Sequence, residues 1–363
     1  MAHPDRIART RAQMKSAGVD LVSIPPGDDL FYLLGYSPHA DERPCYLFLT
    51  AADAVFLVPE LNAGQARGRV NLPFLTYTDA EGPGAALRQA QDRLGATKRI
   101  SVGDTMRADF LLLLQERWSK SPFVAGAEVM APVRMIKTPD EVDAMRRSAA
   151  TADVATDAAF AASRPGVTET QVARAVADAF AAQDVTQVDF AIVGSGPNSA
   201  FPHHASGSRK LQAGEVVLVD LGGRLDGYAS DITRMGFLGK PSARYREVHA
   251  VVERAVRAGI DAVKPGAPLA AVDRAARAVI DAAGYGTYFT HRIGHGIGIT
   301  GHEPPSVTHT NEMPMKEGMA FSVEPGIYLE GEFGVRLEEI VVVGSKGAER
   351  LSRLPREVRV LGT

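Results

Sequence analysis

Cys45 is the only cysteine in the 363-residue chain. One thiol excludes an internal disulfide and any cysteine-based zinc site, so metal binding would fall to carboxylates and histidines. An excess of charge of one sign is equally lacking: 40 Lys and Arg stand against 43 Asp and Glu, a formal net charge of −3. So balanced a chain offers no electrostatic footprint for nucleic acid or an anionic membrane. No hydrophobic run approaches the ~20 residues of a membrane span, and the start, Met1-Ala2-His3-Pro4-Asp5-Arg6, has no apolar leader core. The expectation is a cytoplasmic globular protein, with neither nucleic acid nor membrane among its partners. What is plentiful is apolar side chain, 45% of residues, and a length that at roughly 100–200 residues per domain allows two domains with sizeable cores.

The first third alternates helical and strand signals. Ile7, Arg11 and Met14 mark one face of a short helix ended by Gly18, and residues 19–24 read as a buried strand closed by Pro25-Pro26. Strand-like runs follow at 46–50, 54–58, 74–77 and 100–102, with helical stretches near 61–67, 85–94 and 108–118 between them. This predicts an α/β domain without a cluster of catalytic side chains. Thr138-Pro139-Asp140-Glu141 is a helix start: Thr caps, Pro suits the first helical position, and Glu stands three after the cap. A long Ala-rich helix to about Ser163 follows, and the domain boundary is placed just before it, giving domains 1–134 and 135–363.

The second domain carries an internal repeat. Pro165-Gly166 with Val172, Arg174 and Ala175 recurs 100 residues later as Pro265-Gly266 with Val272, Arg274 and Ala275. Each copy has a long helix before the Pro-Gly, a second helix after it, and then strand-like sequence, which predicts two halves related by a pseudo-twofold with a site between them.

The strand-rich segments hold the unusual polar residues. A buried run ending at Asp220 is followed by Gly222-Gly223 and Asp226-Gly227 turn signals, and the chain returns through Asp231. A turn at Leu225-Asp226 pairs 220 with 231, and one at Asp226-Gly227 pairs 220 with 233; either way the two acids share one face. A second hairpin centred near Gly331 puts Glu324 and Glu338 together in the same manner. Four acids on half-buried faces repel one another and call for cations, which two divalent ions would supply. Histidines complete the set: His291, His295 and His302 lie in one Gly-rich stretch, where the glycines around His295 would let the backbone approach a ligand. Four carboxylates and an imidazole make an oxygen-rich site suited to manganese, with cobalt and zinc as alternatives.

These residues resemble the pita-bread metallopeptidases: prolidases, Xaa-Pro aminopeptidases, methionine aminopeptidases and the related creatinases. The chain has in order Asp220, Asp231 in Asp231-Ile232-Thr233-Arg234, His295 in a His-Gly-Ile-Gly run, Glu324 in Glu324-Pro325-Gly326, and Glu338 in Gly334-Val335-Arg336-Leu337-Glu338. The resemblance spans residues 135–363, and the N-terminal domain looks like that of prolidases and creatinases. It implies an α+β chain, with an N-terminal α/β creatinase/prolidase-like domain ahead of a pseudo-twofold catalytic domain built on a curved, mostly antiparallel sheet. Methionine aminopeptidases usually lack the N-terminal domain, and creatinases lack the full ligand set, so the prolidase and aminopeptidase P branch is favoured.

The resemblance further implies a dinuclear-metal peptidase that hydrolyses the Xaa-Pro bond of short peptides with a metal-bridging hydroxide. Asp231 and Glu338 would bridge two ions, Asp220 would complete one, and His295 with Glu324 the other. Glu324 would also shuttle the proton, His203 would stand near the leaving group, and His302 would steady the carbonyl oxygen. His291 would lie behind the ligands. Arg336 would contact substrate or form a salt bridge, with an acid of the N-terminal domain as one partner. His204 and His309 read as solvent-exposed loop histidines. Relatives with this N-terminal domain are commonly homodimers, which implies one here. One departure stands out: Ser306 occupies the place, four after His302, where short prolidases often carry an Arg that holds the substrate's carboxylate. Strict dipeptide specificity is thereby weakened, and the alternative reading is a metal-dependent hydrolase or lyase of a small non-peptide metabolite. A non-catalytic binding protein is disfavoured, because the five ligands, His203 and His302 are all retained.

Overall fold

In the computed structural model, which describes residues 3–362, the chain divides into two compact units, Met1–Arg134 and Met135–Thr363. The first is built on a six-stranded mixed sheet in the order Phe74–Tyr77, Ala54–Pro59, Tyr46–Thr50, Leu21–Ile24, Ile100–Val102, Phe123–Ala125. The central strands are fully buried, as continuous apolar runs require when helices cover both faces. The opening helix, Pro4–Ala17, ends at Gly18, whose φ of 64° is the left-handed conformation glycine adopts at little cost. Its buried face is Ile7, Thr10 and Met14; Arg11, expected on that face, is partly exposed. The helix Asp28–Leu34 and the edge strand Phe123–Ala125 were not expected from the pattern, being too short to develop a periodicity.

The second unit opens with the helix Pro139–Ala162. Thr138 accepts from the Glu141 N–H while the Glu141 carboxylate accepts from the Thr138 N–H, a reciprocal capping box. The helix Glu169–Ala181 packs beside it, and the pair covers a sheet of Gln187–Ser195, Val216–Leu225, Ile232–Leu238 and Arg359–Leu361, with the short strand Tyr228–Ala229 added to Val216–Leu225. The second half repeats the plan. Helices Ala243–Asp261 and Ala270–Ala282 cover a sheet of Glu303–Val307, Gly294–Gly296, Ala320–Val323, Glu339–Gly344 and Gly347–Arg350. The Pro-Gly corners match in detail: Gly166 N donates to Leu211 O at 2.9 Å and Gly266 N to Met315 O at 2.8 Å. Among these strands pairing is antiparallel except where Ile232–Leu238 runs parallel to Arg359–Leu361.

The hairpin registers decide which side chains meet. Asp220 pairs with Thr233, so the tight turn lies at Asp226-Gly227, both at positive φ, and Asp231, two residues before Thr233, points to the same face as Asp220. In the second hairpin Val323 pairs with Glu339 and Gly326 with Arg336, one register interrupted at Pro325. Glu324 and Glu338 face each other across that interruption. With the ladder broken there, Glu324 N donates to Ile293 O at 2.8 Å and Glu338 N to Thr233 O at 3.2 Å.

The glycines flanking His295 serve a different purpose from the one expected. A Cβ on Gly294 would lie 1.8 Å from Ser322 O, and one on Gly296 2.4 Å from Pro304 O, so they let neighbouring strands approach, not a ligand.

Candidate active site

Within the second unit a cavity of about 890 Å³ is lined by Asp220, Asp231, His295, Glu324 and Glu338, together with His203, His291, Arg292, His302 and Arg336. The first half supplies Asp220 and Asp231 from its hairpin; the second supplies His295 from a central strand and the two glutamates from the break at Pro325. Potential ligand atoms fall into three sets, each within 4.8 Å: Asp220, Asp231 and Glu338; His295, Glu324 and Glu338; and Asp231, His295 and His302.

The carboxylates are crowded and nearly dry. Burial first, then Glu338, Asp220 and Glu324, push Asp231 well above the usual carboxylate range; burial, Glu324 and Asp220 do the same to Glu338. Glu324 is raised to about 7, chiefly by burial, with Arg336 opposing. His295 is lowered to about 3 by burial and by His302, whose ring centroid is 3.8 Å away. A neutral imidazole is what a metal site needs: its Nδ1 faces Gly296 O at 3.1 Å, leaving Nε2 turned to Glu324 at 3.3 Å and Asp231 at 3.6 Å. Asp220 Oδ1 is buried without a hydrogen-bond partner. An orphaned acceptor among acids that resist ionising is an arrangement short of positive charge, and the donor set fits divalent cations.

Side chains behind the cavity hold the acids in place. Thr233 Oγ1 donates to Glu338 Oε2 at 2.8 Å and Ser322 Oγ to Glu324 Oε1 at 3.0 Å. Arg336 donates to Asp220 Oδ2 at 2.5 Å, to Thr233 Oγ1 and to the Tyr328 hydroxyl, which also meets His291 Nε2 at 2.9 Å. Arg336 is therefore paired with an acid of the site itself, not with one from the N-terminal domain, because Asp220 on the facing strand is within its reach. Arg234 reaches from the first half to Glu338 O and to the Glu339 carboxylate.

His302 and His203 stand exposed at the cavity wall, next to Phe190, Ile192, Phe201 and Pro202. His309 is exposed as expected. His204 is not a free surface histidine: its ring is half-buried and bonds the Glu169 carboxylate at 2.8 Å. Thr233, Ser322 and Tyr328 were not singled out in the sequence. Thr233 and Ser322 carried a signal, each standing two residues from an acid of the site, Asp231 and Glu324 respectively, and hence on its face of the chain.

Comparison with known proteins adds the ancestry. Residues 143–345 match the model for metallopeptidase family M24, and residues 6–136 match the creatinase/prolidase N-terminal domain. The chain belongs to metallopeptidase family M24. Among family members, it is 37% identical over 98% of its length to a probable dipeptidase PepE of Mycobacterium tuberculosis, of which it covers 96%. It is 30% identical, over 98% of its length and 99% of the relative's, to the Xaa-Pro dipeptidase of Pyrococcus furiosus. The crystal structure of a Thermococcus sibiricus prolidase superposes with a TM-score of 0.94 at 32% identity, covering 99% of this chain and all of the other. The M24 fold and the metallopeptidase class follow directly. Among the described residues no helix is long and apolar enough to cross a membrane.

Proposed function

We propose that the protein is a dinuclear-metal dipeptidase that hydrolyses the bond before proline in short peptides. The observation that carries this reading is the cavity in which four carboxylates and a neutral imidazole converge, with His203 and His302 at its wall. Its relatives named dipeptidase, Xaa-Pro dipeptidase and prolidase support the substrate class.

Asp220, Asp231 and Glu338 would hold one divalent ion and His295, Glu324 and Glu338 the other, with Asp231 shared as well; manganese suits so oxygen-rich a set. Such a pair of ions supplies a water acidic enough to attack at neutral pH and a Lewis acid that polarises the scissile carbonyl. Glu324, oriented by Ser322, takes the attacking water's proton and delivers it to the proline nitrogen as the C–N bond breaks. The products are the free first residue and proline. His302 donates to the carbonyl oxygen as charge develops there, and His203 faces the departing nitrogen. Phe190, Ile192, Phe201 and Pro202 provide an apolar wall for a pyrrolidine ring.

Arg292 supplies the seat for the substrate's free carboxylate. It lines the cavity, no ion pair engages it among the described residues, and its Nη1 donates to Ser306 Oγ at 3.1 Å. The guanidinium thus stands beside Ser306, at the place where short prolidases often carry an arginine. An unpaired, forked cation at the cavity wall selects a C-terminus over a continuing chain.

The test is hydrolysis of Ala-Pro, Ala-Ala and Ala-Pro-Ala by manganese-loaded protein. Ala-Pro should be cleaved well ahead of the other two, and Arg292→Met should raise KM for Ala-Pro about tenfold or more. If about two equivalents of metal are bound and none of the three is cleaved, the peptidase reading falls.

A further inference from the structure

His203 makes no hydrogen bond or ion pair of its own among the described residues, so no polar partner fixes its side chain and its place at the cavity wall depends on its backbone. That backbone lies in residues 195–207, which start at the last residue of the strand Gln187–Ser195 and continue through one 3-10 turn, Gly196–Ala200, and irregular chain. A loop of this kind is ordinarily among the more mobile parts of a structure. Here it closes around one buried carboxylate. Glu169, in the first turn of its helix and fully buried, accepts from Ser195 N at 2.9 Å, Ser195 Oγ at 2.7 Å and Asn198 Nδ2 at 2.9 Å on one oxygen. On the other it accepts from His204 Nε2 at 2.8 Å and Gly207 N at 3.1 Å. Burial works against its charge, yet the bonds from His204, Ser195 and Asn198 hold its pKa below the ordinary glutamate value.

We infer that Glu169 is a positioning residue for His203: its carboxylate ties both ends of the 195–207 segment and, through the adjacent His204, fixes the angle at which His203 faces the carboxylate cluster. The function of this clamp rests on the role proposed for His203. Its geometry does not. The five donors come from both sides of the wall formed by Phe201, Pro202 and His203; the other ties, Gly334 N to Ser199 Oγ, Val193 N to Ser206 Oγ and Thr170 to Gly207 O, lie outside 201–204, so loss of the carboxylate loosens the wall as a unit. Glutamine keeps the size but turns an amide donor toward at least one of the five donors, leaving Gly207 N or its counterparts unpaired in a buried place.

The experiment is a double-mutant cycle on the manganese-loaded enzyme with an Xaa-Pro dipeptide, combined with amide hydrogen exchange. Expected are a kcat loss on the order of 10² for His203→Ala and about tenfold for Glu169→Gln, with KM within about twofold and metal content unchanged. In the His203→Ala background, Glu169→Gln should cost little more, because the group it positions is already gone. Exchange should speed up across 195–207 and stay unchanged across 291–302. Should Glu169→Gln fail to fold, His204→Ala runs the same cycle with a smaller first step. Multiplicative losses, or exchange that rises throughout the unit, would overturn the inference in favour of a general stabilising role. An unchanged kcat in His203→Ala would overturn the role given to His203 and with it the functional half of the inference, whereas the exchange pattern judges the clamp independently.

Discussion

The two halves of the catalytic unit solve one problem with different parts. In each, the second helix of the pair contributes a fully buried acid from its first turns, Glu169 in the first half and Asp273 in the second, and that acid holds the chain segment delivering a cavity histidine. Glu169 gathers five donors from both ends of its segment, while Thr170 and Ser206 add bonds at the 206–207 end. Asp273 accepts from Ile293 N at 3.1 Å and pairs with Arg277, which in turn donates to Phe289 O and His291 O. His295, moreover, lies in a strand with ladder partners on both sides, whereas His203 lies in none. A histidine on a strand needs only to be steadied; one on a loop has to be tied down.

The strongest way to break the comparison is through the acids. Asp231→Asn in the first half and Glu338→Gln in the second should each lower kcat/KM on the order of 10³-fold and reduce bound metal. A loss in one but not the other would show that the halves are unequal partners in holding the ions, and metal analysis beside steady-state kinetics decides it. Next comes Arg336, a residue of the second half that serves an acid of the first. Arg336→Met should weaken metal affinity about 10- to 100-fold, the usual cost of losing a partner behind a ligand. Titration should show the loss in one of the two equivalents. Equal weakening of both would contradict an effect carried by Asp220 alone.

The carboxylates also set a pH dependence for chelated protein. Asp231, Glu338 and Glu324 have folded pKa values raised above the unfolded ones, so the unfolded state gives up their protons first as pH rises. These acids should therefore draw stability from the metal-free form between the ordinary carboxylate range and about pH 7, the value to which Glu324 is raised, against the opposite contribution of His295 and His291, whose lowered pKa values add stability as pH rises toward the ordinary histidine value. Added manganese should reverse the trend. Thermal unfolding across that window, with and without chelator, checks this; a gap between the metal-loaded and metal-free Tm that fails to widen toward pH 7 contradicts it. The smallest expected effect sharpens the contrast between the helices themselves. Thr168 caps Glu169–Ala181 with a full capping box, while Leu269 at the matching place caps nothing with its side chain. Thr168→Ala should cost about 1 kcal/mol in denaturant unfolding.

Much of this was legible in the chain, and the reasons are local. Acids at 220 and 231 around an Asp-Gly turn, or at 324 and 338 around Gly331, come together because strand periodicity and a turn centre determine the facing pairs. The Thr138 capping box was readable for the same reason: its partners are three residues apart. The Glu169 clamp was not. Its donors at 195, 198, 204 and 207 are mostly small polar or backbone groups on a loop, with no period to align them. Arg336 is the intermediate case: its position beside the ligands was visible, but its partner Asp220 lies 116 residues away and depends on how two hairpins meet.

Pro325 bears on how the molecule comes apart. Because the second hairpin is interrupted there, the main-chain N–H of Glu338 is spent on Thr233 in the other half, alongside Arg234, whose guanidinium crosses the same seam to Glu338 O. The residue that would join two ions is thus also a rivet between two sheets, and cations bridging Asp231 and Glu338 would drive a second rivet through the same spot. Catalytic competence and mechanical cohesion then share one joint, so metal loss should first be visible as loosening along that seam, before either half's core gives way.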